Sequence, residues 1–332
     1  MLRSCPLCLL ELNPQTLFEA IDPVTRDPFD IVQCTNCQLV RTNPRPPADE
    51  LDRYYPSGYH NKVKRYLFGL DRSLSLIHRA RIRSIEHLVG APGSVLDIGC
   101  GPGWFLNGMR KRGWVTRGTE RSDSAARQAR EVLNLDVRPE EIDDLLAQGA
   151  SFDAVVLWHV AEHLEDPPAA IRAVAQLLRQ GGIAMIGVPN FGSLEARIAR
   201  AGWFHLDVPR HLYHFTPATL RAIVEDAGLR VEHVARSAPE YDMFSFVQSV
   251  ENRMGLPFNL LYDVLRRREA RLNHPAVAPI LSLVALGVAV PLALVGALWT
   301  PLATIFRFSA TMTIYARRPS EVEISSRDVR PR

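Results

Sequence analysis

The chain has 332 residues, 47% of them hydrophobic and 23% charged, a composition typical of a folded globular protein and unlike that of disordered or fibrous chains. Its 39 lysines and arginines nearly balance 36 acidic residues, and the net charge of +3 gives little support to nucleic-acid binding. The first ten residues, MLRSCPLCLL, contain no apolar signal region. We therefore expect a cytoplasmic protein whose cysteines stay reduced.

Four of the five cysteines form two C-x-x-C pairs within residues 1–43, where residues 29–33 and 39–41 have the pattern of strands. Each C-x-x-C turn can present two thiolates to one metal ion. The pairs predict a zinc-ribbon-like module with a closed, structural Zn²⁺ site formed by Cys5, Cys8, Cys34 and Cys37. Leu9 and Gln38 stand where ribbon turns usually carry glycine. A redox-active disulfide is the main alternative.

A linker and a helix are predicted for residues 44–90. The segment NPRPP near its start breaks regular structure, because each proline removes a backbone donor and restricts the residue before it. Farther on, Leu67, Leu70 and Leu74 recur at helical spacing. They predict an amphipathic helix within residues 61–89.

Short apolar runs alternate with helical stretches across residues 91–237, the pattern of βαβ units around a parallel sheet. We predict strands at residues 94–98, 115–119, 154–158, 183–188 and 229–235. A helix through Ile171 is expected to end at Gly181. Another is expected to run from Pro217 to Gly228.

A glycine-rich turn follows the first predicted strand, in the sequence VLDIGCGPGWF of residues 95–105. Glycines let the backbone turn sharply and approach a ligand closely. The dinucleotide fingerprint G-x-G-x-x-G fails here, because its third glycine would fall at Trp104. Asp97, two residues before the first glycine, instead favours a cofactor with a cationic centre and an ammonium group. Cys100 is interpreted as a small packing residue rather than a nucleophile.

The second predicted strand is followed by Glu120, 23 residues after Asp97, where a carboxylate can accept both ribose hydroxyls. Together these features resemble the class I S-adenosylmethionine-dependent methyltransferases, whose first motif is D-x-G-x-G-x-G. The resemblance continues through FDAVVLWHVAEHLEDP, GGIAMIGVPN and HLDVPRHLYHFTPATL and covers most of residues 45–237. It implies an α/β fold with a Rossmann-like seven-stranded sheet, whose last strand, at residues 309–316, is antiparallel.

The resemblance also implies which residues bind the cofactor, S-adenosyl-L-methionine (SAM). The aspartate and the three glycines would hold its methionine part, the carboxylate after the second strand its ribose, and residues after the fourth strand would close the pocket. The cofactor-binding residues are therefore predicted to be Asp97, Gly99, Gly101, Gly103, Glu120 and Trp158. The adenine contact, among the carboxylates of residues 138–144, is left open.

Methyl transfer to a hydroxyl requires a group that removes a proton, and histidine suits this role near neutral pH. We favour His159 and His211 as catalytic bases. Three further histidines in the same motifs are alternatives, namely His163, His205 and His214. Any of these histidines could instead be a hydrogen-bonded structural residue. Asp207 and Arg210 could orient a base or an anionic acceptor, or form a solvated loop pair.

Residues 275–306 contain no charged side chain, and these 32 residues are too many for one membrane span of about 20 and too few for two. A return of residues 309–318 to the sheet would place both ends of this apolar run on one side of a membrane. Arginines on both flanks favour the cytoplasmic side. With Pro291 near the middle, we predict a re-entrant or interfacial helical hairpin inside an insertion at residues 238–308. Burial in a homodimer interface is the alternative, and residues 319–332 form a polar tail.

The function predicted from these features is SAM-dependent methyl transfer, with O-methylation of a lipid-linked, prenylated or sugar-type acceptor near the membrane. Ubiquinone-biosynthesis-type and sugar-modifying methyltransferases are the relatives that the chain resembles. The expected partners are a small-molecule or lipid-linked methyl acceptor and a membrane surface. The alternative is a non-catalytic SAM-binding zinc-ribbon protein that acts as a regulator or an adaptor. A regulator would keep the cofactor turn but need no catalytic groups, and the histidines near the expected acceptor side argue against it. An adaptor with a degenerate domain would be expected to lose motif glycines or Glu120, and neither is lost.

Overall fold

The computed structural model describes residues 4–11, 13–55, 70–265 and 278–320. They fall into two compact units, each assembled from separate stretches of the chain. The first unit comprises Met1–Lys64, Pro189–Thr219 and Arg236–Met312. The second unit comprises Arg65–Val188, Leu220–Ala235 and Thr313–Arg332.

Parts of three sequence-based predictions lie outside the described residues. These are the start of the amphipathic helix at residues 61–69, the arginines before the apolar run at residues 266–271, and residues 321–332 of the polar tail. The domain limits drawn from the sequence stay a prediction.

The strands are, in chain order, β1 (Pro14–Ile21), β2 (Pro28–Cys34), β3 (Val40–Asn43), β4 (Ser94–Ile98), β5 (Val115–Thr119), β6 (Val137–Arg138), β7 (Phe152–Trp158), β8 (Leu178–Pro189), β9 (Tyr213–His214), β10 (Arg230–Ala235) and β11 (Thr311–Arg317). The α-helices are α1 (Leu70–Val89), α2 (Trp104–Arg110), α3 (Asp123–Arg127), α4 (Ile142–Ala147), α5 (Pro167–Leu177), α6 (Leu194–Ala199), α7 (Pro217–Asp226), α8 (Pro239–Arg253), α9 (Leu260–Leu265) and α10 (Ala278–Ile305).

The second unit is built on a seven-stranded sheet with the order β10-β11-β8-β7-β4-β5-β6. β4 pairs in parallel with β5 and β7, and β8 pairs in parallel with β7. The last strand, β11, lies between β8 and β10 and runs antiparallel to β10. This confirms the predicted methyltransferase-like sheet. The short edge strand β6 was not predicted, because two residues carry no usable periodicity.

Apolar side chains from α1 and α2 pack against this sheet. Ile82 and Ile85 of α1 and Met109 of α2 lie in one buried cluster with Val95 of β4 and Val156 of β7. The central strands are almost continuously apolar because helices can cover a parallel sheet on both faces. The carboxyl end of β4, where the glycine turn begins, therefore projects from a rigid core.

The helix through Ile171 ends earlier than the sequence predicted. α5 stops at Leu177, and Leu178 already has an extended backbone and pairs with Phe152 in the sheet. Gly181 therefore lies within β8 rather than at a helix end. Leu177 ends α5 and Leu178 begins β8, and both are apolar, so periodicity alone could not place the boundary between the two elements.

The first unit contains a four-stranded sheet with the order β1-β2-β3-β9, in which every neighbouring pair is antiparallel. Three strands come from the predicted amino-terminal module. The fourth, β9, comes from much later in the chain and pairs Tyr213 with Arg41 and His214 with Val40. The module is therefore continued by a strand that the sequence analysis did not assign to it.

The apolar run forms one continuous helix, so the predicted hairpin is wrong. α10 has 28 residues and contains both Pro291 and Pro301 in its interior. A proline removes one backbone donor, whereas a turn would leave several backbone groups unpaired among apolar side chains. One helix is therefore the less costly arrangement of this sequence.

Buried carboxyl groups surround α8 in the first unit. Glu195 of α6 accepts hydrogen bonds from the hydroxyls of Ser245 and Ser249 on α8. Asp242 of α8 accepts hydrogen bonds from Ser237 and from Thr311, at 2.6 and 2.7 Å. Burial raises the pKa of Glu195 to about 7 and that of Asp242 to about 6. The folded chain therefore holds protons on these groups at pH values where the unfolded chain does not.

We expect the free energy of unfolding to fall as the pH rises from 5 to 8, because Glu195 must ionise in a largely desolvated position. Its pKa is about 7 in the folded chain against an ordinary value of 4.5, and the difference corresponds to a loss on the order of 2 kcal/mol. Glu195→Gln keeps an oxygen that can accept both hydroxyls and does not titrate, so its loss between pH 5 and 8 should be smaller. Denaturant unfolding at the two pH values measures this.

Glu19→Gln is the matched control for this prediction, since Glu19 is an exposed carboxylate of the same unit. The control should retain the pH dependence of the wild-type chain. An unchanged pH dependence in Glu195→Gln would contradict the assignment. Asp242 and Glu251 also have raised pKa values, so part of the dependence should remain in the variant.

Candidate functional site

The turn after β4 depends on three glycines with left-handed backbone conformations. Gly99, Gly101 and Gly103 have φ values of 68°, 54° and 77°. Residues with a Cβ atom rarely adopt such angles, and here three occur within five residues. The alternating glycines therefore form a tight loop that leads directly into α2.

Contacts around the turn show why side chains are excluded at its two ends. A Cβ atom on Gly99 would lie 2.7 Å from Cγ2 of Val160, and one on Gly103 would lie 2.6 Å from Cδ1 of Leu135. A Cβ atom on Gly101 would meet nothing within 4 Å. The middle glycine thus borders open space, which fits a loop whose backbone lies against a ligand.

Two carboxylates flank this loop. Glu120, directly after β5, accepts hydrogen bonds from the backbone N–H of Gly101 at 2.8 Å and of Ser122 at 2.7 Å. Asp97, in β4, is buried. Burial and the negative charge of Glu120 raise the pKa of Asp97 to about 8, and Arg81 opposes this rise. A buried carboxylate of this kind favours a cationic ligand group, which SAM would supply as an ammonium group.

Arg81 of α1 is a site residue that the sequence analysis did not single out. Its guanidinium lies over the ring of Trp158, 3.5 Å from the ring centroid, and its charge acts on both Asp97 and His159. Arg81 precedes Ile82, whose side chain is buried in the core. That position next to the apolar face of α1 is the signal that could have identified it.

His159 lies at the end of β7 and next to the ring of Trp158, with ring centroids 5.2 Å apart. Its Nδ1 donates a hydrogen bond to the buried carboxylate of Glu162 at 3.1 Å, which leaves Nε2 as the acceptor nitrogen. Burial and the charge of Arg81 lower the pKa of His159 to about 3. The backbone of His159 is left-handed, with a φ of 53°, an unusual conformation for a residue with a side chain.

His211, the second predicted base, belongs to the first unit and is buried there. Its Nδ1 donates a hydrogen bond to the backbone oxygen of His205 at 2.8 Å, so Nε2 is again the acceptor nitrogen. The alternative His214 lies within 3.0 Å of the Thr42 hydroxyl, and burial lowers its pKa to about 3.

Arg210 is a buried structural residue rather than part of a solvated loop pair. Its guanidinium donates to the carboxylates of Asp22 and Asp207 and to the backbone oxygen of Tyr54, at 2.7 to 2.9 Å. An arginine bonded on several sides in a dry environment holds its neighbours in place. It ties the segment around β9 to the amino-terminal part of the same unit.

The acidic run at residues 138–144 is largely used for local structure. Glu140 pairs with Arg117 at 2.6 Å, and Glu141 and Asp144 form a capping box at the start of α4. Cys100 packs near Gly118, and burial raises the pKa of its thiol, which agrees with a packing role. The adenine contact stays unassigned.

The four amino-terminal cysteines converge on one point. All four sulfur atoms lie within 4.8 Å of one another. The closest pairs, Cys5 with Cys37 and Cys8 with Cys34, are 3.5 and 3.8 Å apart. These distances are longer than a disulfide bond of about 2.05 Å. They match the spacing of about 3.8 Å between ligands in a tetrahedral Zn–S₄ site with Zn–S bonds of about 2.3 Å.

The two C-x-x-C turns have the same backbone geometry. The N–H of Cys5 donates to the oxygen of Leu10, and that of Cys34 donates to the oxygen of Leu39, each at 2.9 Å. Leu9 and Gln38, where glycine was expected, have φ values of 58° and 64°. Leu9 and Gln38 thus adopt the left-handed conformation of the glycines that usually stand at these positions, although glycine adopts it more easily.

We expect the affinity for SAM to rise from pH 6 to 7.5, because Asp97 must lose its proton to hold a cationic group. With a pKa of about 8 before binding, it is mostly protonated at pH 6, and the affinity should rise by up to about tenfold per pH unit. Asp97→Asn should bind more weakly and lose most of this dependence. Calorimetric titration at several pH values measures both effects.

Asp123→Asn is the control, because Asp123 is exposed at the start of α3. It should bind SAM with the affinity and pH dependence of the wild-type chain. Equal pH dependence in Asp97→Asn and in the control would disprove the role given to Asp97.

Comparison with known proteins agrees with this geometry. The Methyltransferase domain family model matches residues 69–234. A protein of Xanthomonas axonopodis pv. citri (strain 306) named Ubiquinone biosynthesis O-methyltransferase is 30% identical over 180 residues, covering 50% of this chain and 75% of that protein. A second protein of that name, from Xanthomonas oryzae pv. oryzae (strain PXO99A), is 29% identical over the same shares.

One solved structure shows the same fold. It is a protein of Galdieria sulphuraria proposed to be a sarcosine dimethylglycine methyltransferase, with 15% identity, a TM-score of 0.50 and coverage of 82% of this chain and 99% of that one. The family match spans half of the chain and includes the glycine turn, Glu120 and the end of β7. The chain therefore belongs to the class I S-adenosylmethionine-dependent methyltransferases.

Proposed function

We propose that this methyltransferase methylates an oxygen atom of a lipid-linked, prenylated or sugar-type acceptor at the cytoplasmic side of a membrane. The observation that carries the proposal is the occurrence, in one chain, of the complete glycine turn and of α10, a 28-residue helix without a charged side chain. An enzyme with such an apolar surface element is better suited to an acceptor in a lipid phase than to a freely soluble metabolite. The relatives named Ubiquinone biosynthesis O-methyltransferase support oxygen as the accepting atom.

The residues of the second unit would bind the methyl donor. Asp97 would hold the ammonium group, the backbone of Gly99, Gly101 and Gly103 would border the methionine part, and Glu120 would accept hydrogen bonds from the ribose. SAM supplies an activated methyl group on a sulfonium centre. The remaining task of the protein is to align the acceptor oxygen and to remove its proton.

His159 and His211 are the two groups proposed to take that proton. Each has its Nδ1 fixed by an acceptor, the Glu162 carboxylate or the His205 backbone oxygen, so that each presents Nε2 as the basic nitrogen. The lowered pKa of His159 keeps its imidazole neutral at physiological pH, but also makes it a weak base.

We further propose that the four cysteines bind a structural Zn²⁺ ion. Four thiolates leave no open position for a substrate, which is the donor set of structural rather than catalytic zinc. The convergent sulfur atoms and the matched backbone turns support this ion over a redox disulfide.

Incubation of the full chain with SAM carrying a labelled methyl group and with a membrane lipid extract tests the methyl-transfer proposal. We expect label in the organic-soluble fraction, at least tenfold less with Asp97→Ala, and wild-type incorporation with the exposed control Asp123→Ala. The ¹³C chemical shift of a methyl group transferred from ¹³C-labelled donor identifies the accepting atom. Binding of SAM without transfer to any lipid, sugar or prenylated phenol would favour the non-catalytic regulator instead.

Metal analysis of the purified chain tests the zinc proposal. We expect one zinc ion per chain in the wild-type protein. The Cys34→Ser variant should lose the ion, and its melting temperature should fall by several degrees, because metal binding contributes to the folding of such modules. Cys100→Ser is the matched control and should retain the ion, since Cys100 lies outside the cysteine cluster. A metal-free wild-type chain with oxidised Cys5, Cys8, Cys34 and Cys37 would establish the disulfide alternative.

A further inference from the structure

α10 exposes apolar side chains along its whole length. Among the described residues, Pro279–Ile305 is long and apolar enough to cross a membrane, and only 11% of its most apolar 18-residue window is buried. The exposed face contains large aliphatic residues at helical spacing, including Ile280, Leu283, Val290, Leu294, Leu298 and Ile305. At 1.5 Å per residue, this apolar face extends over about 42 Å.

The opposite face of α10 packs against α8. Ala285 of α10 lies in a buried cluster with Val247 of α8, and Gly296 lies against Phe246. The polar side chains Gln248 and Glu251 of α8 are buried, and Ser245 of α8 donates a hydrogen bond to Glu195 of α6. An isolated interfacial helix turns a charged face to water. In this protein the second face of α10 is instead covered by α8, which is itself packed into the first unit.

Both ends of α10 return to the same unit. Leu281, near its start, packs with Leu260 and Leu261 of α9. Just beyond its end, the backbone oxygen of Ser309 accepts a hydrogen bond from the side chain of Asn190 at 2.9 Å. A helix that crossed a bilayer would carry these neighbours and α8 into the hydrocarbon, where their polar groups would lose water. The packing therefore excludes a single crossing.

We propose that α10 lies parallel to the plane of the membrane, immersed in one leaflet, with α8 on the side of α10 that faces away from the leaflet. The residues that follow α10 fit a headgroup layer, because Phe306, Arg307 and Phe308 are all exposed. Tyr241 and Met243 of α8 are also exposed and add to the apolar surface formed by α10.

Charge also favours an anionic leaflet as the occupant. In the sequence, five arginines and one glutamate flank the uncharged run within residues 264–308, and Arg307, which the structure describes, is exposed. Arginines near an apolar surface attract acidic lipid headgroups. A second copy of the chain would carry the same excess of positive charge next to its own apolar run, which disfavours the pairing of two such surfaces.

Membrane docking through α10 does not require methyl transfer, although it supports the acceptor class proposed above. The Asp97→Ala variant should bind vesicles as the wild-type chain does, because Asp97 lies in β4 of the other unit. Failure of docking and failure of catalysis are therefore separate results. Loss of methyl transfer with retained vesicle binding would refute only the proposed function.

Vesicle flotation tests the docking surface. The full chain should float with vesicles of phosphatidylcholine and phosphatidylglycerol at a 7:3 ratio, and less with phosphatidylcholine alone. Leu283→Asp combined with Leu298→Asp should lower the bound fraction at least tenfold. Ile198→Asp is the matched control, since Ile198 is an equally exposed apolar residue of the same unit outside α10, and it should bind as the wild-type chain does.

Depth measurements test the orientation. A fluorescent amino acid placed at Ile280, Val290 or Leu302 should be quenched equally by lipids brominated at one shallow position. Deep quenching at Val290 together with shallow quenching at Ile280 and Leu302 would show a crossing helix and overturn the proposal. Vesicle binding by the double variant at the wild-type level would also overturn the proposal. So would a wild-type chain that is a dimer without lipid while the double variant is a monomer.

Discussion

The carboxylate of Glu120 joins the two loops on which the cofactor site depends. It accepts one backbone N–H from the glycine turn after β4 and another from the loop after β5, so the ends of two neighbouring parallel strands are held by one side chain. These hydrogen bonds hold the turn that contains the three left-handed glycines, and α2 begins directly after the last of them. Buried Asp97 beneath the turn has a proton affinity that depends on this same carboxylate. Glu120 therefore affects both the backbone conformation of the glycine turn and the pKa of Asp97.

Local patterns predicted most of the second unit. The strands predicted at residues 94–98 and 115–119 became β4 and β5 at the residues expected. Buried β4 has the apolar signal of a central parallel strand, whereas β5, with the sequence VTRGT, is marked by its β-branched residues. The glycine turn and the cysteine pairs were visible because their chemistry is concentrated in a few neighbouring residues. Arg81 was missed because its place beside the apolar face of α1 indicates only that it lies near the core, and its contact with Trp158 depends on how α1 packs against β7.

The predictions that failed involve choices between competing local signals. Pro291 suggested a turn, but the pairing of backbone groups in an apolar environment favoured a continuous helix. The glycines after α5 suggested a helix end, but pairing with β7 had already drawn Leu178 into the sheet. The pairing of β9 with β3 joins residues too distant in sequence for any periodic pattern to reveal. Tertiary context decided each case.

This last pairing has a kinetic consequence for the nascent chain. Residues 40 and 41 are synthesised about 170 residues before their partners, Tyr213 and His214. At 5–20 residues per second, the ribosome needs roughly 10 to 35 s to produce the missing strand. During this interval β3 presents an open edge whose N–H and C=O groups can pair with other chains.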